Sequence, residues 1–169
     1  MGKSYNNVIT LTELFSGNHP LLSQAFSPMT VRFFILQTHY RSTLDFSSEA
    51  LVAAEKGLKR LWEAYEFLLS IQHKADEPLE PDTELSEKII KLLAELEDFM
   101  NDDFNTAKVL ANLFEIVPVI NQIKDGLLKL GNFTEETLQL MKKTFKIYLE
   151  DILGLKNSGV VNDTLKGVM

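Results

Sequence analysis

Apolar residues recur at steps of three and four along most of this chain, and that spacing predicts helices. After Ser47 the stripe consists of Leu51, Ala54, Leu58, Leu61, Tyr65 and Leu68. Three later stripes follow the same rule, led by Leu85, Val109 and Leu138. Four such stripes joined by short polar breaks predict an all-α fold, an antiparallel helical bundle.

Local signals predict where the helices begin and end. Ser27 before Pro28 opens a shorter helix through Leu36, and a still shorter one is expected near Leu11 to Phe15. The later helices are predicted to start at Ser47 or Ser48, at Thr83, at Asn105 and at Asn132, the last as a capping box with Glu135. Gly154 is expected to end the last helix. Pro118 predicts a kink or a break inside its segment.

Composition excludes several classes of protein. The 169 residues contain no cysteine, so neither a disulfide framework nor a thiolate metal site is possible. No apolar run reaches the length needed to cross a bilayer, which predicts no membrane association. We expect a cytoplasmic protein.

The formal net charge of −7 argues against nucleic acid, but its distribution weakens that argument. Eight acids lie between Asp82 and Phe104, whereas the segment from Pro28 to Arg41 carries two arginines, one histidine and no acid. Because salt screens charges over about 10 Å, a basic surface can act independently of a distant acidic one. Net charge therefore leaves nucleic-acid binding open.

No self-contained active site is predicted. The three histidines, His19, His39 and His73, lack metal-ligand spacing, and no serine–histidine–aspartate pattern is present. Asp102 and Asp103 shortly precede Asn105, the predicted start of a helix. Acidic residues are favourable at that position, and this explanation is preferred to a pair of metal ligands. We expect neither a catalytic residue nor a metal in this chain.

Two basic groups stay open to two interpretations each. His39 and Arg41 follow an apolar helix, where they either complement its carbonyl-rich end or contact nucleic acid. Lys56, Lys59 and Arg60 share a helix face, which is either a solvated surface or a phosphate-binding one. The neighbouring Trp62 is expected to pack in the bundle.

Three segments together resemble the cysteinyl-tRNA synthetases of class I. The first segment is similar to the family's helical domain, which is named for an Asp-Ala-Leu-Arg signature. It consists of Met29 to Leu36 and the following His39-Tyr40-Arg41-Ser42-Thr43-Leu44-Asp45-Phe46-Ser47. Of the four signature residues only the arginine, Arg32, is present in this chain. Asp102-Asp103-Phe104-Asn105-Thr106 resembles the family's Asp-Asp-Phe-Asn-Thr segment. Met1-Gly2-Lys3-Ser4 is similar to the end of the Lys-Met-Ser-Lys-Ser loop, with Gly2 where serine is usual.

The resemblance implies a fragment of an enzyme that joins cysteine to tRNA(Cys) through an ATP-derived adenylate. The catalytic domain, its ATP site and its zinc ligands would lie upstream, so no cofactor is expected bound here. Residues 1–27 would be the remnant of the loop and a connecting segment. Residues 28–155 would form the helical domain, and residues 156–169 a linker toward an anticodon module.

The resemblance also implies roles for particular residues. Lys3, flanked by Gly2 and Ser4, would contact ATP phosphates in the complete enzyme. Arg32, His39, Tyr40 and Arg41 would position tRNA or contact another domain. Arg41 is a stronger candidate than Arg32, which follows aliphatic residues and is either a contact or a structural residue.

Two other functions compete with this one. A related ligase that couples cysteine to an amino sugar would share the architecture and need no tRNA. A free-standing helical interaction module would have no use for an ATP loop.

Overall fold

The computed structural model describes residues 8–38, 46–74 and 77–157. Within these ranges the chain forms helices and no strand, which confirms the all-α prediction. The α-helices are α1 (Leu11–Ser16), α2 (Pro28–Gln37), α3 (Ser48–Ser70), α4 (Thr83–Asn101), α5 (Thr106–Lys124) and α6 (Glu135–Lys146). A 3₁₀ turn (Leu130–Asn132) precedes α6, and a π-helical segment (Ile147–Ile152) follows it. Across the described ranges no helix combines the length and apolarity needed to cross a membrane.

The contacts divide the chain into two compact units. The N-terminal unit contains the described residues up to Lys59 together with those from Leu155 onward, and the bundle unit runs from Arg60 to Gly154. α3 therefore contributes its first half to one unit and its second half to the other. The domain boundaries predicted from the sequence stay a prediction.

The N-terminal unit is built on two capped helices. Thr10 begins α1 with the reciprocal bonds of a capping box: its hydroxyl accepts from the Glu13 N–H at 3.2 Å, and its own N–H donates to the Glu13 carboxylate at 2.7 Å. That N–H bond is the main cause of the lowered pKa of Glu13. Ser27 caps α2 ahead of Pro28, as predicted. Leu14 of α1 and Val31 of α2 join one apolar cluster with residues from the connecting segments and from α3, namely Ile9, Leu22, Phe26 and Leu51.

The bundle unit packs α4, α5 and α6 with the second half of α3. Its fully buried side chains include Tyr65, Leu68, Ile89, Leu96, Leu113, Ile120, Leu138 and Phe145. The Asn112 amide of α5 donates to the Leu92 carbonyl at 2.9 Å and to the Glu95 carboxylate at 3.0 Å on α4. Because only four residues join α4 to α5, these contacts near the middle of both helices make the pair antiparallel.

The structure corrects the predicted start of α6. Thr134, not Asn132, is the cap: its hydroxyl accepts from the Thr137 N–H at 3.2 Å, directly before Glu135 begins the helix. Asn132 lies in the 3₁₀ turn, where its amide donates to the Glu80 carbonyl at 3.2 Å. Its side chain is therefore occupied in fixing the segment before α4.

Helix α5 continues through Pro118 without the break that the proline allowed. Pro118 is exposed, whereas the neighbouring Val117 and the following Ile120 are fully buried. The packing of this apolar face holds the helix together despite the lost backbone bond, which would cost about 3 kcal/mol in a helix without such support.

Candidate nucleic-acid interface

Arg32, the predicted contact residue within α2, is positioned by the burial pattern of that helix. Val31 and Phe33 are buried, with Phe33 at 0% exposure, and the intervening Arg32 is exposed. Two buried neighbours fix the rotation of α2, so the Arg32 side chain is presented on the exposed surface. The structure thus places Arg32 where a large ligand could reach it.

The other residues predicted as sites lie outside the described part of the chain. They are Gly2, Lys3 and Ser4 near the N-terminus and His39, Tyr40 and Arg41 after α2. The described chain leads up to the second group: α2 ends at Gln37, and the Thr38 N–H donates to the Ile35 carbonyl at 3.1 Å. The helix therefore ends immediately before the basic segment, as the sequence predicts.

Helix α3 carries a row of exposed basic residues. Lys56, Lys59 and Arg60 are all exposed, while Leu58 and Leu61 between and after them are buried. Residues three and four apart on a helix are neighbours, so the three charges share one face. Such a row suits the phosphate backbone of a nucleic acid.

The turn between α4 and α5 has an unusual backbone, which sequence reasoning did not find. Asp103 and Phe104 both adopt left-handed conformations, with φ of 56° and 53°. The Asn105 N–H returns to the Phe99 carbonyl at 2.9 Å, and the Asn105 side chain accepts from the Lys108 N–H at 3.2 Å. One short turn thereby ends α4 and caps α5, leaving Phe104 exposed. We call residues 102–105 the α4–α5 turn.

Two tyrosines of the bundle unit have raised pKa values. Burial is the main cause for Tyr65, and its hydroxyl also donates to Glu150 Oε1 at 2.8 Å. Burial likewise raises the pKa of Tyr148, with the Glu97 charge adding to it. Both shifts favour the neutral phenol over the phenolate.

Among the described residues no group of three or more His, Cys, Asp or Glu side chains is arranged to hold a metal ion. Asp102 closes α4 as its C-cap residue, and Asp103 lies in the left-handed turn. Their local roles are therefore those of a helix connection.

Comparison with known proteins defines the class first. The family model described as the DALR domain matches residues 82–157, from the cap of α4 to the end of the described chain. Residues 82–157, which include α4, α5 and α6, are therefore similar to a DALR domain.

Along nearly its whole length the chain is similar to cysteine–tRNA ligases. The chain is 49% identical to the cysteine–tRNA ligase of Parabacteroides distasonis over 93% of its own length and 30% of that enzyme's. It is 43% identical to the Cytophaga hutchinsonii ligase over 100% of the chain and 34% of the enzyme. A more distant cysteine–tRNA ligase, from Pelobacter propionicus, is 34% identical over 94% of the chain.

The chain is similar to cysteine–tRNA ligases over nearly its whole length, and it spans about 30% of the length of the curated relatives it matches. The resemblance inferred from the three sequence motifs is confirmed.

Proposed function

We propose that this chain is the tRNA-side helical domain of a cysteine–tRNA ligase, which supports tRNA(Cys) while cysteine is attached with ATP. The observation that carries the proposal is the similarity to such ligases over nearly the whole chain. The helical fold and the DALR domain support it. The cytoplasmic location expected from the sequence is part of the same proposal.

ATP and zinc belong, in this proposal, to the part of the ligase outside these residues. The chain contains no cysteine, and the described residues hold no metal-binding group, so zinc does not fit here. Lys3, with Gly2 and Ser4, is proposed to reach the ATP phosphates of the catalytic domain. An ammonium group on a flexible stem suits the charge that develops as the adenylate forms.

The proposed tRNA contacts are one residue within α2, three residues that follow α2 in the sequence, and a row on α3. Arg41, His39, Tyr40 and Arg32 are the candidates from the sequence, and the exposed row on α3 supplies three further positive charges. Phosphate contacts of this kind position the RNA without reading its sequence. Recognition of the correct tRNA would then rest on other parts of the enzyme.

Neutralising the α3 row tests this role. In the complete ligase, Lys56→Gln, Lys59→Gln and Arg60→Gln together should raise the KM for tRNA(Cys) about tenfold. The slope of log KM plotted against the logarithm of the salt concentration should fall by up to about 2. Adenylate formation, measured by ATP–pyrophosphate exchange, should stay unchanged because it needs no tRNA. Arg41→Ala should raise the same KM.

The matched control is Lys88→Gln with Lys91→Gln, two exposed lysines of the acid-rich helix α4. These changes should leave the KM for tRNA within about twofold. A triple α3 variant with an unchanged KM would contradict a tRNA contact at α3. Equal increases in the KM for tRNA in the α3 and α4 variants would mean that the α3 effect comes only from the total charge of the protein.

A further inference from the structure

Phe104 in the α4–α5 turn contributes little to the packing of its own fold. Its side chain is 75% exposed, so it buries little apolar surface within the described chain. Its φ of 53° is costly for a bulky side chain and favourable only for glycine or, less so, asparagine. Local conformation and internal packing therefore both disfavour the residue that is present.

The turn nevertheless holds Phe104 firmly in this position. The Phe104 N–H donates to the Met100 carbonyl at 3.2 Å, and the next N–H, of Asn105, donates to Phe99. Asn105 itself is buried and caps α5. A ring presented from a fixed backbone loses little entropy on binding, which is the property of an anchor residue at an interface.

Charge around the ring selects the kind of partner. Asp102 and Asp103 directly precede Phe104 and are exposed, and Asp98 is exposed one turn earlier on α4. The exposed Lys108 begins the other side of the turn, with its Nζ 5.5 Å from the centroid of the Phe99 ring, so acidic groups outnumber basic ones here. Carboxylates in this position repel the phosphates of RNA, so stacking on a tRNA base is disfavoured. They complement a protein pocket that is apolar inside and carries Lys or Arg at its rim.

We propose that the α4–α5 turn docks, through Phe104, into such a basic-rimmed apolar pocket on the part of the ligase chain outside these residues. This inference rests on the proposed function, since the chain spans about 30% of the ligases it matches and the partner surface belongs to the remainder. One docked aromatic ring buries about 150–250 Å², which is a central part of the roughly 600–1,500 Å² typical of an interface between domains of one chain. The turn is then an interdomain contact.

Photo-crosslinking in the complete ligase tests the docking. Phe104→p-benzoylphenylalanine should crosslink to a peptide of the ligase outside the present 169 residues, identified by mass spectrometry. The matched control is the same replacement at Leu127, which is 76% exposed at another turn of the bundle unit and should give little crosslinking. Adding Asp102→Lys should lower the crosslinking yield at position 104 about tenfold, because the new positive charge repels the Lys or Arg residues at the rim of the pocket.

Three results would overturn the proposal: crosslinking to tRNA, yields no higher at position 104 than at 127, or a yield unaffected by Asp102→Lys. A second variant tests the premise. Phe104→Gly in the 169-residue chain should leave the urea midpoint of unfolding unchanged or higher, and a lower midpoint would show that the ring packs within its own fold. Cysteinylation of tRNA(Cys) by the unmodified ligase is measured alongside. Its absence would refute the proposed function, whereas activity without the crosslink would refute the docking alone.

Discussion

Gly131→Ala is expected to destabilise the bundle unit by about 3 kcal/mol. A β-carbon at Gly131 would lie 2.1 Å from the Pro78 carbonyl oxygen, a backbone atom that cannot rotate away. Relieving the overlap requires the segment before α4 to separate from the 3₁₀ turn. That separation removes the bonds from the Glu80 N–H to the Gly131 carbonyl and from the Asp82 N–H to the Asn132 carbonyl, both 2.9 Å.

Urea unfolding followed by tryptophan fluorescence measures this loss. Trp62 is the only tryptophan and lies in the bundle unit, with its ring 5.2 Å from that of Tyr65. Gly126→Ala is the control: Gly126 has a φ of +74° but nothing within 4 Å of an added β-carbon. It should cost only about 1 kcal/mol, from backbone strain alone. Equal losses in the two variants would contradict the close approach at Gly131.

Phe145→Ala should cost about 4 kcal/mol of unfolding free energy, the largest effect expected from one side chain here. Phe145 is at 0% exposure, and its ring stacks on Tyr65 with 6.4 Å between centroids. Removing it leaves a cavity between α3 and α6 that the packed bundle can close only in part.

The same urea experiment checks it, with Phe104→Ala as control. Both residues belong to the bundle unit, but Phe104 is exposed, so its truncation should change stability by no more than about 0.5 kcal/mol. A loss below about 1 kcal/mol at Phe145 would mean that the core is not packed around this ring.

The helices could be predicted because their signals are local. The apolar stripe from Leu51 to Leu68 fixes the buried face of α3, and Ser27 with Pro28 fixes the start of α2. Asn105 was predicted as a cap for the same reason: one side chain and a neighbouring N–H decide it.

The misassigned start of α6 depends on contacts that are distant in sequence. Asn132 and Thr134 both suit a helix start, and the choice is made because the Asn132 amide is held by Glu80, 52 residues earlier. The close approach of Gly131 to Pro78 is equally non-local. No propensity scale contains such contacts, because they exist only after α4 and α6 have packed.

The residue types of the candidate site could be predicted from the sequence, but the backbone conformation that positions them could not. The basic residues on α3 and the Asp-Asp-Phe-Asn segment are visible in the sequence, whereas the consecutive left-handed residues Asp103 and Phe104 are not. Neither aspartate nor phenylalanine signals a positive φ as strongly as glycine does. The exposed ring therefore became apparent only from the backbone.

The acceptor of cysteine is the most direct test of the whole account. The complete ligase is incubated with ATP and labelled cysteine, and label is measured on tRNA(Cys) and, in a parallel reaction, on an amino sugar. The account predicts ATP-dependent labelling of tRNA(Cys) and none of the sugar. Labelling of the sugar alone would assign the chain to the related amino-sugar ligases, and labelling of neither acceptor would leave it a helical interaction module.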